Sequence, residues 1–123
     1  MDNMGPALNI STEEYGNALV MHVAGRIDAT SVPILERKLS TFMTAEVPFL
    51  LIDFSHVDYL SSAGLRLLLS TTKKMKSKNG KCLFAAISDE VMDIIKMAGF
   101  DKILSIFPTV ADALKALEGL SRT

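Results

Sequence analysis

A single cysteine, Cys82, stands among 123 residues, so no disulfide can form within the chain. Its neighbours Leu83, Phe84 and Ala85 are apolar, which marks a buried thiol and agrees with a reducing compartment. Neither sign of charge dominates: 13 Lys and Arg against 14 Asp and Glu leave a formal net charge of -1, with no general pull toward nucleic acid or an acidic membrane. No segment approaches the roughly 20 apolar residues of a spanning helix, since Asp53 and His56 end the longest early run. Met1 to Gly5 lacks the cationic-then-apolar order of a secretory signal. These absences predict a soluble, cytoplasmic protein without a nucleic-acid or membrane partner.

Enzyme motifs are equally scarce. There is no G-x-G-x-x-G or G-x-x-x-x-G-K-[ST] loop to cradle a nucleotide phosphate. His22 and His56 have no Cys or His at metal-ligand spacing, and both read as structural or surface histidines. Ser62-Ala63-Gly64 is half of a nucleophile elbow, but Leu60 stands where the first glycine belongs and a loop from Phe54 is too long for the sharp turn. Lys73, Lys74, Lys76, Lys78 and Lys81 form the most conspicuous charge cluster. No aromatic interleaving accompanies it, so it reads as a solvated helix face gathered at a negative C-terminal end. The chain is read as a non-enzyme with no cofactor of its own.

What remains is a regular alternation of elements. Leu8 to Tyr15 and Ala18 to Ala24 read as strands joined by a Gly16-Asn17 turn, with Gly25 closing the second. Thr30 or Ser31 caps a helix bearing Leu35, Leu39 and Phe42 on one side, and Pro48 blocks its continuation. Phe49 to Phe54 reads as a strand covered on both faces, followed by a loop from Ser55 to Leu60. Ser61 and Ser62 open a helix with Leu65, Leu68, Leu69, Thr72 and Met75 on one side, ended by Asn79-Gly80. Lys81 to Ile87 is a strand, Ser88 caps a third helix, and Ile103 to Phe107 is a last strand. Thr109 and Asp112 form a capping box for a final helix. Strands alternating with crossover helices predict an α/β fold: a mixed, mostly parallel sheet of four to five strands, about four helices and an N-terminal hairpin on the edge. One domain over 1–123 is expected, ordered from about 8 to 119.

Two adjacent hydroxyls at a helix start are the informative feature. The residues after Ser61-Ser62 are small, and a helix N-terminus offers unpaired N–H groups and partial positive charge. A phosphate added there brings roughly -1.5 to -2 charges and three acceptors, and would deepen the negative potential of Asp28 and Asp58 if they border it. On physical grounds alone, a serine that merely caps the helix is the commoner arrangement.

Asp58-Tyr59-Leu60-Ser61-Ser62-Ala63-Gly64-Leu65-Arg66 resembles the signature of the anti-sigma-factor antagonists, whose domain is called STAS. Gly25-Arg26-Ile27-Asp28 is similar to that family's Gly-Glu-Leu-Asp turn. Phe49 to Ser55 is similar to its central strand, and Met97 to Ile103 to its late helix-to-strand junction. The family typically carries Asp-Ser-[ST]-Gly-Leu, with the serine after the aspartate phosphorylated. Alignment on Gly64-Leu65 puts that serine at Ser62, Ser61 in place of the aspartate and Ala63 at the second hydroxyl position. Ser61 stays the lesser candidate. The resemblance implies a partner switch: the unphosphorylated chain binds an anti-sigma factor that is also a serine kinase and frees the sigma factor. Phosphorylation of Ser62 ends the complex, and a metal-dependent serine phosphatase restores it. The implied contact surface comprises Asp28, Ala29, Thr30, Asp58, Ser61, Ser62, Ala63 and Arg66. The alternative is a STAS-type scaffold or regulatory subunit of a signalling or transporter complex without sigma-factor control.

Overall fold

The computed structural model describes residues 8–43 and 47–121; the reading of Met1 to Gly5 lies outside them. The elements in chain order are β1 (Leu8–Tyr15), β2 (Ala18–Ile27), α1 (Val32–Met43), β3 (Phe49–Leu60), α2 (Ser62–Ser77), β4 (Lys81–Ala85), α3 (Asp89–Met97), a 3-10 turn at Phe100–Lys102, β5 (Ser105–Phe107) and α4 (Val110–Ser121). The sheet order is β1-β2-β3-β4-β5. β1 and β2 form the antiparallel edge hairpin, and every later pairing is parallel, each crossover supplied by a helix. This is the α/β architecture the alternation predicts.

The two faces of the sheet are unequally dressed. One face packs Met21, Val23, Leu50, Ile52, Phe54 and Phe84 beneath Leu35 and Leu39 of α1, Leu65 and Leu68 of α2, and Val91 and Ile95 of α3. Phe54 and Phe84 meet edge-to-face at its centre, with centroids 6.0 Å apart. The other face gathers Ala18, Val20, Leu51, Leu83 and Ala85 under Ala113 and Leu117 of α4 alone. Each fully buried leucine contributes roughly 1.5–3 kcal/mol, so the three-helix face carries most of the cohesion. Cys82 is buried, and burial pushes its thiol up to about 12.

Several element ends differ from the sequence reading. β2 does not stop at Gly25 but runs to Ile27, and β3 does not stop at Phe54 but runs to Leu60. The stretch from Ser55 to Leu60 is strand rather than loop because two bulges absorb its irregular polarity. β3 advances three residues, Asp53 to His56, where β2 advances two, and again two, Val57 to Tyr59, where β2 advances one. Gly25 sits at the second bulge with φ +116, a conformation that glycine adopts without penalty. β4 ends at Ala85, and a 3-10 turn takes Phe100–Lys102 before β5 begins at Ser105. On α2 the buried stripe is Gly64, Leu65, Leu68, Thr71 and Met75, while Leu69 and Thr72 are only half-buried. Thr71 enters the core because its hydroxyl donates to the Leu67 carbonyl at 2.8 Å.

Candidate functional site

β2 and β3 end side by side, with Ile27 opposite Leu60, and each turns at once into a helix. The two turns are stitched together: the Ser61 N–H donates to the Ile27 carbonyl at 2.8 Å. Gly64 lies against this seam. A Cβ built there would stand 2.6 Å from Ile27 Cγ2 and 2.8 Å from Leu60 Cδ1, so only glycine lets the first turn of α2 approach so closely.

The adjacent serines are used differently. Ser61 is the N-cap, in extended backbone, and its Oγ accepts from the Gly64 N–H at 3.1 Å. It is half-buried. Ser62 is the first helical residue and is exposed; among the described residues its hydroxyl has no hydrogen-bond partner. Ala63 beside it is half-buried and small, and Arg66 is exposed one turn further along α2.

The first junction closes on itself. The Asp28 carboxylate accepts from the Thr30 N–H at 3.0 Å and the Ser31 N–H at 3.1 Å. The Ser31 N–H above all holds the Asp28 carboxyl below its ordinary value, against a smaller upward push from burial. Neither Thr30 nor Ser31 caps α1 through its side chain, contrary to the sequence reading. The Ser31 hydroxyl turns inward instead, donating to the Arg26 carbonyl at 2.5 Å and accepting from the Asp28 N–H at 2.9 Å. Ala29 and Thr30 are left exposed at the tip.

Asp58 is exposed just upstream of Ser61, as the residue that the second bulge adds to β3. Arg26, absent from the sequence-based site, stacks over the Tyr59 ring at 4.3 Å, with its Nε 3.7 Å from Asp28 Oδ2. The signal was its place inside the Gly-Arg-Ile-Asp turn. All eight sequence-predicted residues thus belong to two neighbouring junctions tied by one backbone hydrogen bond.

A hydrolytic serine needs a base, and neither histidine serves Ser62. His22 is bonded to Asp53 and Glu13, and His56 is 3.2 Å from the Ser55 hydroxyl. β3 runs straight into the Ser61 cap, so the long loop expected after Phe54 is not there, and neither histidine is bonded to the Ser62 hydroxyl. Among the described residues no group of three or more His, Cys, Asp or Glu is placed to hold a metal ion. No helix among them is long and apolar enough to cross a membrane.

The STAS domain family model matches residues 9–113. The chain belongs to the STAS domain family. It is 26% identical over 113 residues to the anti-sigma-F factor antagonist RsfB of Mycobacterium tuberculosis, covering 92% of each chain. A solved anti-sigma factor antagonist from Mycobacterium paratuberculosis superposes with TM-score 0.84 at 30% identity, covering 93% of this chain and 97% of that one. The Bacillus cell fate determinant SpoIIAA in its phosphorylated form superposes with TM-score 0.69 at 17% identity, covering 89% and 99%, a likeness of fold alone.

Proposed function

We propose that this STAS domain is an anti-sigma factor antagonist, a binding protein rather than an enzyme, whose attachment to an anti-sigma factor is ended by phosphorylation of Ser62. The observation that carries the reading is the division of labour at the α2 start: Ser61 spends its oxygen on the cap, while Ser62 presents an exposed hydroxyl with no partner among the described residues. A phosphate on Ser62 would sit at the positive end of a 16-residue helix without displacing the cap. The fold is compatible with such a state, since SpoIIAA in its phosphorylated form shares it.

The proposed contact surface is Asp28, Ala29, Thr30, Asp58, Ser61, Ser62, Ala63 and Arg66, exposed or half-buried along the two junctions. Adding a dianion to a surface that also carries Asp28 and Asp58 would place like charges in an interface that must lose water to form, which costs several kcal/mol. The kinase is proposed to be the anti-sigma factor itself, with ATP and its metal bound by that partner. A metal-dependent serine phosphatase restores the free hydroxyl. The proposed site of action is the cytoplasm.

The test is to incubate the protein with its co-encoded kinase and ATP, map the phosphate by mass spectrometry and measure binding of substituted proteins. The expected result is a single phosphate on Ser62, binding retained by Ser62→Ala, and at least about a hundredfold loss with Ser62→Asp. Phosphate on Ser61 instead, or equal binding by the two variants, would overturn the assignment. Co-purification with an assembly lacking an ATP-binding kinase would favour the scaffold alternative.

A further inference from the structure

Asp53 is a carboxylate in the middle of a buried strand, 7% exposed, on the sheet face that α4 leaves partly bare. A charge there is costly unless it is paired and hydrogen-bonded. Both oxygens are used: Oδ2 lies 2.7 Å from His22 Nδ1, and Oδ1 accepts from the Ser55 N–H at 2.9 Å. A cleft of about 490 Å³ lined in part by this pair opens beside it, and each Asp53 oxygen already holds a partner.

The position of the second bond is what matters. His22 opposite Asp53 is the last regular pair before the first bulge; beyond it β3 carries one residue more than β2. A bulge removes a backbone N–H from the ladder. Here that donor is the Ser55 N–H, and Asp53 takes it up. The bulge also reverses the alternation of the strand. Ile52 and Phe54 face the three-helix core before it, Val57 faces the same core after it, and the second bulge returns Leu60 there. The two extra residues bring Leu60 opposite Ile27, and only in that register does the Ser61 N–H reach the Ile27 carbonyl.

We infer that Asp53, steadied by His22, is a positioning residue for Ser62: by holding the Ser55 N–H it fixes the bulged register that delivers Ser61 to its cap and Ser62 to the surface. What this register means for a partner rests on the reading of Ser62 above. The register itself does not, so the experiment below involves no partner and its outcome is independent of that reading.

The experiment is residue-resolved amide hydrogen exchange on the purified protein, on Asp53→Leu and on Asp53→Asn. Leucine suits the buried position but cannot accept a hydrogen bond, whereas asparagine keeps an acceptor for the Ser55 N–H. In Asp53→Leu the Ser61 amide should exchange at least about tenfold faster while Leu83 and Phe84 of β4 keep their protection. In Asp53→Asn the Ser61 amide should stay within about threefold of the parent. If Asp53→Leu does not fold, Asp53→Ala is judged by the same criterion. The proposal is overturned by an unchanged Ser61 amide in a folded leucine or alanine variant, or by equal loss in the asparagine variant. Failure of both substitutions to fold also overturns it, because the carboxylate would then hold the whole sheet rather than the register of one segment.

Discussion

Between Arg26 and Ser31 the chain turns from β2 into α1 with its polar groups folded onto the loop itself, whereas between Leu60 and Gly64 it turns from β3 into α2 with one hydroxyl left outside. In the first junction a carboxylate takes two N–H groups, and Ser31, 0% exposed, bonds to Arg26 and Asp28. In the second a serine takes one N–H, and its neighbour bonds to nothing among the described residues. Ser31 and Ser62 are both serines at helix starts, yet of the two only Ser62 is exposed. Availability follows from which neighbour has taken over the capping task, not from the residue type.

The largest break in this comparison should come from the seam between the junctions. Gly64→Ala forces a methyl to within 2.6 Å of Ile27 Cγ2 and 2.8 Å of Leu60 Cδ1, both buried and hemmed in by core. Overpacking of this kind costs roughly 1–3 kcal/mol. Chemical denaturation should show that loss, and an unchanged midpoint would mean that the first turn of α2 is free to retreat.

Next in size is Ser31→Ala, which should cost about 1–2 kcal/mol. It deletes the acceptor for the Asp28 N–H and the donor to the Arg26 carbonyl at a side chain that is itself fully buried. Loss of that order in urea unfolding would mark Ser31 as structural; a neutral result would mean that water replaces the hydroxyl.

The sequence made the outline of this arrangement readable and hid its mechanism. Ser88 as the cap of α3 and Thr109 as the cap of α4 were legible because Ser-Asp-Glu and Thr-x-x-Asp are local patterns, and the structure shows Ser88 accepting from the Val91 N–H and Thr109 from the Asp112 N–H. The extent of β3 was not legible. Ser55, His56 and Asp58 break a period of two, and a bulged strand is one in which that period fails. The inward turn of Ser31 was hidden because its partners are backbone atoms of a loop whose shape the sequence does not state. The His22 and Asp53 pair spans 31 positions and only the sheet register unites it.

A finer contrast lies within the second junction. Ser61→Ala removes the cap and should cost about 1 kcal/mol, while Ser62→Ala should change stability by less than about 0.5 kcal/mol. Thermal melts of the two variants read the difference directly. Equal destabilisation would show that Ser62 shares the cap, which would undercut its selection as the modified residue.

The smallest effect concerns pH, and it contrasts the edge hairpin with both junctions. His22 Nδ1 faces Asp53 at 2.7 Å and Nε2 faces Glu13 at 3.2 Å, so the ring binds both carboxylates best as an imidazolium. The Asp53 hydrogen bond raises the His22 pKa above its ordinary 6.5, burial pulls it back somewhat, and Glu13 adds to the rise. Burial lifts Asp53, but the Ser55 N–H and the His22 ring overcome it and hold the carboxyl below 3.8. A raised imidazole stabilises fully below about 6.5 and loses that contribution as pH climbs through its folded value; a lowered carboxyl stabilises above about 3.8 and loses it as pH falls further. Stability from this pair is therefore greatest between those limits and declines toward alkaline pH. The decline should be a fraction of a kcal/mol, because the His22 side chain is 37% exposed and that of Glu13 63%, and water screens both. Above its raised pKa the ring keeps one N–H and can donate to only one of the two carboxylates, so one of its two charged contacts is given up. Unfolding midpoints compared across about pH 5 to 9 should fall slightly for the parent and stay flat for His22→Gln. A decline of equal size in both proteins would place the alkaline sensitivity elsewhere and leave the hairpin edge without a role in it.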